Sequence, residues 1–249
     1  TRSPLKDILP DGLAIEVVTS LDDIPATAWD KLANPPGAPF NPFVSHAFFH
    51  ALEASGSATA KTGWLGQHLL LKDGNQIRAI LPLYLKNHSQ GEYVFDHAFA
   101  EAFTRAGGNY YPKLQSAVPF TPATGPRLLA GGDAQAPQWK ATLLKAALAL
   151  AERREASSVH VTFLPGEDWQ EFGDGETFLQ RADTQFHWEN RGYMNFDEFL
   201  ATLSSNRRKN LRKERAAALR DGISIEWVTG SDITEAHWDA FFDFYMDTG

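Results

Sequence analysis

Gly12-Leu-Ala-Ile-Glu-Val-Val-Thr19 returns near the far end of the chain as Gly222-Ile-Ser-Ile-Glu-Trp-Val-Thr229. After a one-residue gap, Ile24, Trp29 and Asp30 fall opposite Ile233, Trp238 and Asp239. In each copy an alternating apolar run reads as a strand, and the apolar spacing after it reads as a helix. Self-similarity over strand, turn and helix marks a duplicated unit. The chain is therefore expected to hold one complete α/β domain over residues 1–205, a linker helix over 206–221, and the opening strand and helix of a second, truncated domain over 222–249. Convergence of two short βα units is the alternative, because such units share apolar spacing in any case.

Working outward from the first copy, a stiff Pro35, Pro36, Pro39 and Pro42 connection leads to Ser45, a good N-cap for a helix over 46–54. Residues 64–71 and 77–85 read as a hairpin around Asp73-Gly74-Asn75, since Asp-Gly supplies the positive φ angles of a tight turn. From Gly107 to Arg127, four prolines exclude a helix and leave loops and short strands. Trp139 to Arg154 carries Leu143, Leu144, Ala147 and Leu148 on one helical face, and a central strand is expected over 159–163. Helices over 195–203 and 206–220 follow, the second closed by Gly222. Strands interleaved with helices give a mixed α/β fold.

A length of 249 residues is enough to bury a full core, and 43% apolar residues with 22% charged is ordinary globular composition. No apolar run approaches the roughly 20 residues of a membrane-spanning helix. Thr1 to Asp11 lacks the pattern of a secretory signal. The absence of cysteine removes thiolate nucleophiles and cysteine metal sites and fits a cytoplasmic location. A net charge of −8 disfavours DNA as a partner, because phosphate backbones attract excess Lys and Arg.

Neither a Gly-x-Ser-x-Gly elbow nor a His-Glu-x-x-His pair occurs, against serine hydrolase and zinc protease chemistry. His46, His50 and Glu53 share one helix face, but the Ala47, Phe48 and Phe49 between them look like core, so no metal site is expected. His160 reads as a core histidine. Phe120, Thr121, Thr124 and Arg127 lie on a proline-stiffened loop and, with Tyr110, Tyr111 and Lys113, offer aromatic walls and convergent polar groups for a polar glycan or peptide; a rigid structural turn is the competing reading. Arg207, Lys209, Arg212 and Lys213 belong to a basic run opposed only by Glu214. It reads either as a clamp for a substrate phosphate or as a solvated helix face.

Leu81-Pro-Leu-Tyr-Leu-Lys86, Gly91-Glu-Tyr-Val-Phe-Asp96, Tyr110-Tyr-Pro-Lys113, Val118-Pro-Phe-Thr-Pro-Ala-Thr-Gly-Pro-Arg127, Phe186-His-Trp-Glu-Asn190 and the run from Arg207 to Arg215 together resemble the FemAB-like peptidoglycan biosynthesis/recognition proteins, grouped with the GNAT-type N-acyltransferases. The resemblance implies a GNAT-like fold in tandem and a longer whole protein. It also implies transfer of an acyl or aminoacyl group to an amine acceptor such as a cell-wall precursor, with acyl-CoA or aminoacyl-tRNA as donor. Within it, His187 is the candidate general base and Asp96 a second catalytic candidate. No Arg/Gln-x-x-Gly-x-Gly/Ala turn for a coenzyme A pyrophosphate occurs. That gap keeps open a non-catalytic protein that recognises a glycan-peptide. A truncated second copy would expose Trp227, Trp238, Phe241, Phe242, Phe244 and Tyr245, an apolar surface suited to packing on the first domain or to self-association.

Overall fold

The computed structural model describes residues 12–173 and 175–248; the reading of Thr1 to Asp11 lies outside the described residues. The chain divides into two compact units, one through Ala182 and one from Asp183, earlier than the boundary read at residue 205.

In the first unit, β1 (Leu13–Val18), a 3-10 turn (Leu21–Asp23) and α1 (Ala26–Ala33) precede α2 (His46–Ala54). Ser45 caps α2 by accepting from the Phe48 amide. Four short strands follow: β2 (Leu65–Gly66), β3 (His68–Asp73), β4 (Gln76–Leu81) and β5 (Tyr84–Lys86). They are one long hairpin broken near its middle, where Pro82 has no amide and Gln67 N donates to Leu83 O at 2.8 Å. The turn is the expected Asp73-Gly74-Asn75, with Gly74 at φ +57°. α3 (His97–Arg105), β6 (Lys113–Ser116), α4 (Ala136–Arg153), β7 (Val159–Val161) and α5 (Gly166–Phe172) complete the unit. The broken hairpin spans two sheets, an antiparallel β1-β3-β4 and a mixed β2-β5-β6-β7 in which β6 and β7 run parallel. A crossover through α4 joins these two parallel strands, as parallel pairs require.

Strand alternation sorts the core. Leu69, Leu71, Leu81 and Leu83 pack with Leu143, Leu144, Ala147 and Leu150 of α4, whereas Leu70, Ile80 and Tyr84 turn to Trp29 and Phe49 of α1 and α2. Trp29 Nε1 donates to Val44 O at 2.8 Å.

The histidine pattern on α2 belongs to this packing. His46 Nε2 donates to Leu21 O at 3.1 Å, and His50 Nε2 meets Asp22 at 2.9 Å. Glu53 accepts from Leu21 N at 2.8 Å and meets His68 Nε2 at 3.0 Å. His68 Nδ1 accepts from Leu83 N at 3.2 Å, so its proton sits on Nε2 and points at Glu53. These contacts bind α2 to the 3-10 turn and to the break in the hairpin.

The second unit holds α6 (Phe196–Ala201), α7 (Ser205–Ala218) and α8 (Glu235–Thr248). The strand expected over 223–229 is not formed: Ile223 and Thr229 are extended, but no ladder partner is present among the described residues. Trp227 is 92% exposed, and Trp238, Phe241, Phe242, Phe244 and Tyr245 are exposed with it.

Glu53→Ala should destabilise the protein by about 1–3 kcal/mol in urea unfolding, the cost of leaving the buried Leu21 amide and the His68 ring without their acceptor. Glu53→Gln, which keeps one acceptor oxygen, should lose less.

Candidate functional site

Register places Gly66, Tyr84, Gln115 and His160 in one row across the four-stranded sheet, and Lys86 directly opposite Lys113. Leu85, Leu114, Val159 and Val161 face α4. By alternation Tyr84, Lys86, Lys113, Gln115 and His160 share the opposite face. A sheet with one oily face and one face carrying two lysines is unusual for an interior, because each buried charge demands a partner.

Lys113 has it. Its Nζ lies 2.7 Å from Glu92, 2.7 Å from Asp96 and 2.9 Å from Ser89 Oγ, and the lysine is fully buried. Tyr110 donates its hydroxyl to Asp96 at 2.8 Å, and the Tyr111 hydroxyl meets Ser89 at 2.7 Å. Burial alone would raise the Asp96 carboxyl, but hydrogen bonds from Lys113, Tyr110 and Ser89 hold it down at about 2. Burial raises Glu92 despite the charge of Lys113, and burial together with the Asp96 contact raises Tyr110. His160 falls to about 4 through burial and then the charge of Lys113, so its ring is neutral near pH 7. Lys86 Nζ sits 3.5 Å from the centroid of the Trp64 ring and donates to Gln90 O at 3.1 Å. Burial lowers it to about 8.

Tyr110 and Tyr111 form the floor of an open pocket of about 550 Å³, walled by Ala100, Glu101, Thr104, Arg105 and Asn109 on α3 and the turn after it. Thr124 lines a different pocket of about 620 Å³, beside Asn34, Phe40, Phe43, Pro126 and Lys140. The residues grouped by the sequence reading thus divide between two surfaces. Arg127 lines neither: it is 1% exposed and donates to Ala123 O at 2.6 Å and Gly125 O at 3.0 Å, and burial lowers it to about 10. Its guanidinium fastens the loop from inside. Phe120 packs on Trp64 with centroids 5.7 Å apart, and Thr121 Oγ1 donates to Pro119 O at 3.1 Å, so this part of the loop has the geometry of a structural turn.

The basic run and His187 belong to the second unit, and Asp96 belongs to the first. On α7, Arg208, Arg212 and Arg215 recur at i, i+4 and i+7. Arg208 donates to Ala201 O at 3.3 Å, Arg212 meets Asp197 at 3.2 Å, and Arg215 lies 4.2 Å from the Phe196 ring centroid. Arg212 therefore helps hold α7 on α6. Arg207, Lys209 and Lys213 are exposed. The His187 ring is exposed and meets Gln185 Oε1 at 3.2 Å.

Sequence reasoning passed over Ser89, Glu92, Lys86, Glu101, Arg105 and Asn109. A signal for three of them existed, since Lys86 closes one family-like run, Glu92 and Asp96 lie in the next, and Ser89 falls between.

The ordinary aspartate value is 3.8, so the stability that Asp96 contributes is fully present above about pH 4 and is lost as pH falls through 2. Asp96→Asn should cost roughly 3 kcal/mol at neutral pH, as for a broken buried ion pair. Urea unfolding of wild type and variant should converge between pH 4 and 2.

No curated protein and no solved structure matches the chain. A family described as peptidoglycan biosynthesis/recognition matches residues 20–249, a span that takes in the broken hairpin, the lysine cluster, the whole second unit and all of the first from Ser20 onward. The chain belongs to that FemAB-like family.

Proposed function

We propose that the protein binds the acceptor of an N-acyl or aminoacyl transfer, a cell-wall glycan-peptide precursor, in the pocket above Tyr110 and Tyr111. The observation that carries this reading is the anchoring of both tyrosines, through Asp96 and Ser89, to one buried ammonium. Rings fixed in this way present a rigid aromatic floor, and orientation of an acceptor is worth much of a transfer barrier. The GNAT-like reading of the fold belongs to the same proposal, and its support is the β6-α4-β7 crossover with its single parallel pair.

In the transfer the acceptor nitrogen attacks the donor carbonyl carbon and forms a C–N bond. The bond from that carbon to the leaving oxygen or sulfur breaks with its electron pair. The nitrogen loses one proton to a base, and the leaving group gains one. Asp96 is too acidic to be that base, so its role here is to position Tyr110 and Lys113. Of the two donor classes, coenzyme A does not fit the helix that follows the β6 crossover. At the start of α4 the Gln135 amide is taken by Asp133 Oδ1 and the Ala136 amide by Asp133 O, while Pro137 has no amide. A carboxylate thus sits where a pyrophosphate would need donors. An aminoacyl ester, as on tRNA, is the donor we favour. The lack of free donors at the start of α4 also favours a second reading, recognition of the precursor without transfer.

Incubating the protein with a muramyl-peptide precursor and either aminoacyl-tRNA or acyl-CoA, and reading amide formation by mass spectrometry, separates these. Amide formation with the ester donor is the expected result, and tight precursor binding without product supports recognition alone. Lys113→Met should weaken precursor binding by roughly tenfold or more through loss of the tyrosine floor, and wild-type protein that fails to bind the precursor overturns both readings.

A further inference from the structure

The wall of the α3 pocket carries an unused pair of opposite charges. Glu101 and Arg105 are four residues apart on one helix, with Cβ atoms roughly 6 Å from each other, and acid before base is the favourable order for an ion pair. Yet neither makes an ion pair or hydrogen bond among the described residues, and the Asn109 side chain makes none either. Every hydroxyl of the pocket is engaged elsewhere. Thr104 donates to Ala100 O at 2.9 Å, Tyr110 to Asp96, and Tyr111 meets Ser89. The polar groups left for a ligand are one carboxylate, one guanidinium and one amide, over two aromatic rings.

We propose that this pocket binds the zwitterionic end of an amino acid or short peptide, its ammonium on Glu101 and its carboxylate on Arg105. The inference rests on the acceptor reading above and names the part of the acceptor that the pocket holds. A polyanion would meet Glu101 at close range, a plain cation would meet Arg105, and a neutral sugar would leave both charges without a counterpart. One or two extended residues separate an ammonium from a carboxylate by roughly 3 to 7 Å, the span that two side chains one helical turn apart can bridge. The planar fork of Arg105 takes a carboxylate through two donors. Asn109 offers a donor and an acceptor to a peptide group, and the buried cluster keeps the rings beneath from yielding.

The test uses the full chain and three probes: alanyl-alanine, its N-acetyl derivative and its C-terminal amide, titrated by NMR. Wild type should bind the dipeptide roughly tenfold tighter than either blocked form, about the effect of one charge-assisted hydrogen bond. Glu101→Gln should weaken the dipeptide and the amide and leave the N-acetyl form unchanged, because that form has no ammonium. Arg105→Gln should weaken the dipeptide and the N-acetyl form and leave the amide unchanged. Both residues are exposed, so both variants should keep the wild-type circular dichroism spectrum. Equal affinity of wild type for the three probes, or a uniform loss in both variants, overturns the inference. Where wild type binds the muramyl-peptide, binding that is undiminished in both variants overturns it and leaves the acceptor reading standing. Dipeptide binding with this crossed pattern, in a protein that ignores the precursor, supports the inference and removes that reading.

Discussion

The Lys113 ammonium, fully buried in a sheet, is the constraint from which much of the first unit follows. Taking such a group from water costs several kcal/mol even after relaxation, and only close opposite charge with satisfied hydrogen bonds offsets it. Glu92 and Asp96 lie on the connection between β5 and α3, so that connection must lie over the polar face of the sheet. Lys86 adds to the demand, since it stands directly opposite Lys113 in register and like charges across a ladder repel. The Trp64 ring takes Lys86 on its face, and Glu92 lies in the field of both lysines. Two lysines and two carboxylates thus share the covered face of the sheet.

That arrangement explains how one sheet serves two purposes. Its apolar face is held by α4 through leucines and alanines, which need only shape. Its other face is held by ionic and aromatic contacts that depend on position, and the tyrosines reach the surface from there. Gly91 shows how tightly the cover fits: a Cβ there would lie 2.6 Å from the Phe120 ring, and its φ of +77° suits glycine. The Gly91 carbonyl also accepts from the Phe120 amide at 3.0 Å, so the same contact joins the cluster segment to the loop that Arg127 fastens.

Elements with a strong period and clear punctuation were legible in the sequence. The strand over 13–18, the Ser45-capped helix, the Asp-Gly hairpin and the long α4 all stand where residue patterns place them, within a few residues. α3 was not legible, because none of its residues is buried and Phe99 and Phe103 point outward, so no apolar stripe faces a core. Of the lysine cluster, Asp96, Tyr110, Tyr111 and Lys113 stand out in the sequence, but their joining does not. An ion pair between residues 17 positions apart leaves no local trace. Arg127 is a related case: a guanidinium reads as a ligand group in the sequence, and only the fold shows the carbonyls around it. Thr124 was drawn to the same group by its place in the loop, whereas the fold turns it to another surface.

The repeat shows most clearly where local information stops. After Thr19, Ser20 caps a 3-10 turn over 21–23, and α1 begins at Ala26; after Val228, Thr229 precedes a 3-10 turn over 230–232, and α8 begins at Glu235. Turn and helix recur because their hydrogen bonds close within a few residues, so the same residues suffice wherever they occur. The strand does not recur. Residues 13–18 are a strand because residues 68–73 lie beside them and return their hydrogen bonds, and Val18 and Trp29 are buried by that neighbourhood. Residues 223–229 carry the same alternation with no such neighbour among the described residues, and Trp227 and Trp238 stay exposed. A β pattern states which face is apolar, but a ladder exists only where a second segment supplies the other half of each hydrogen bond.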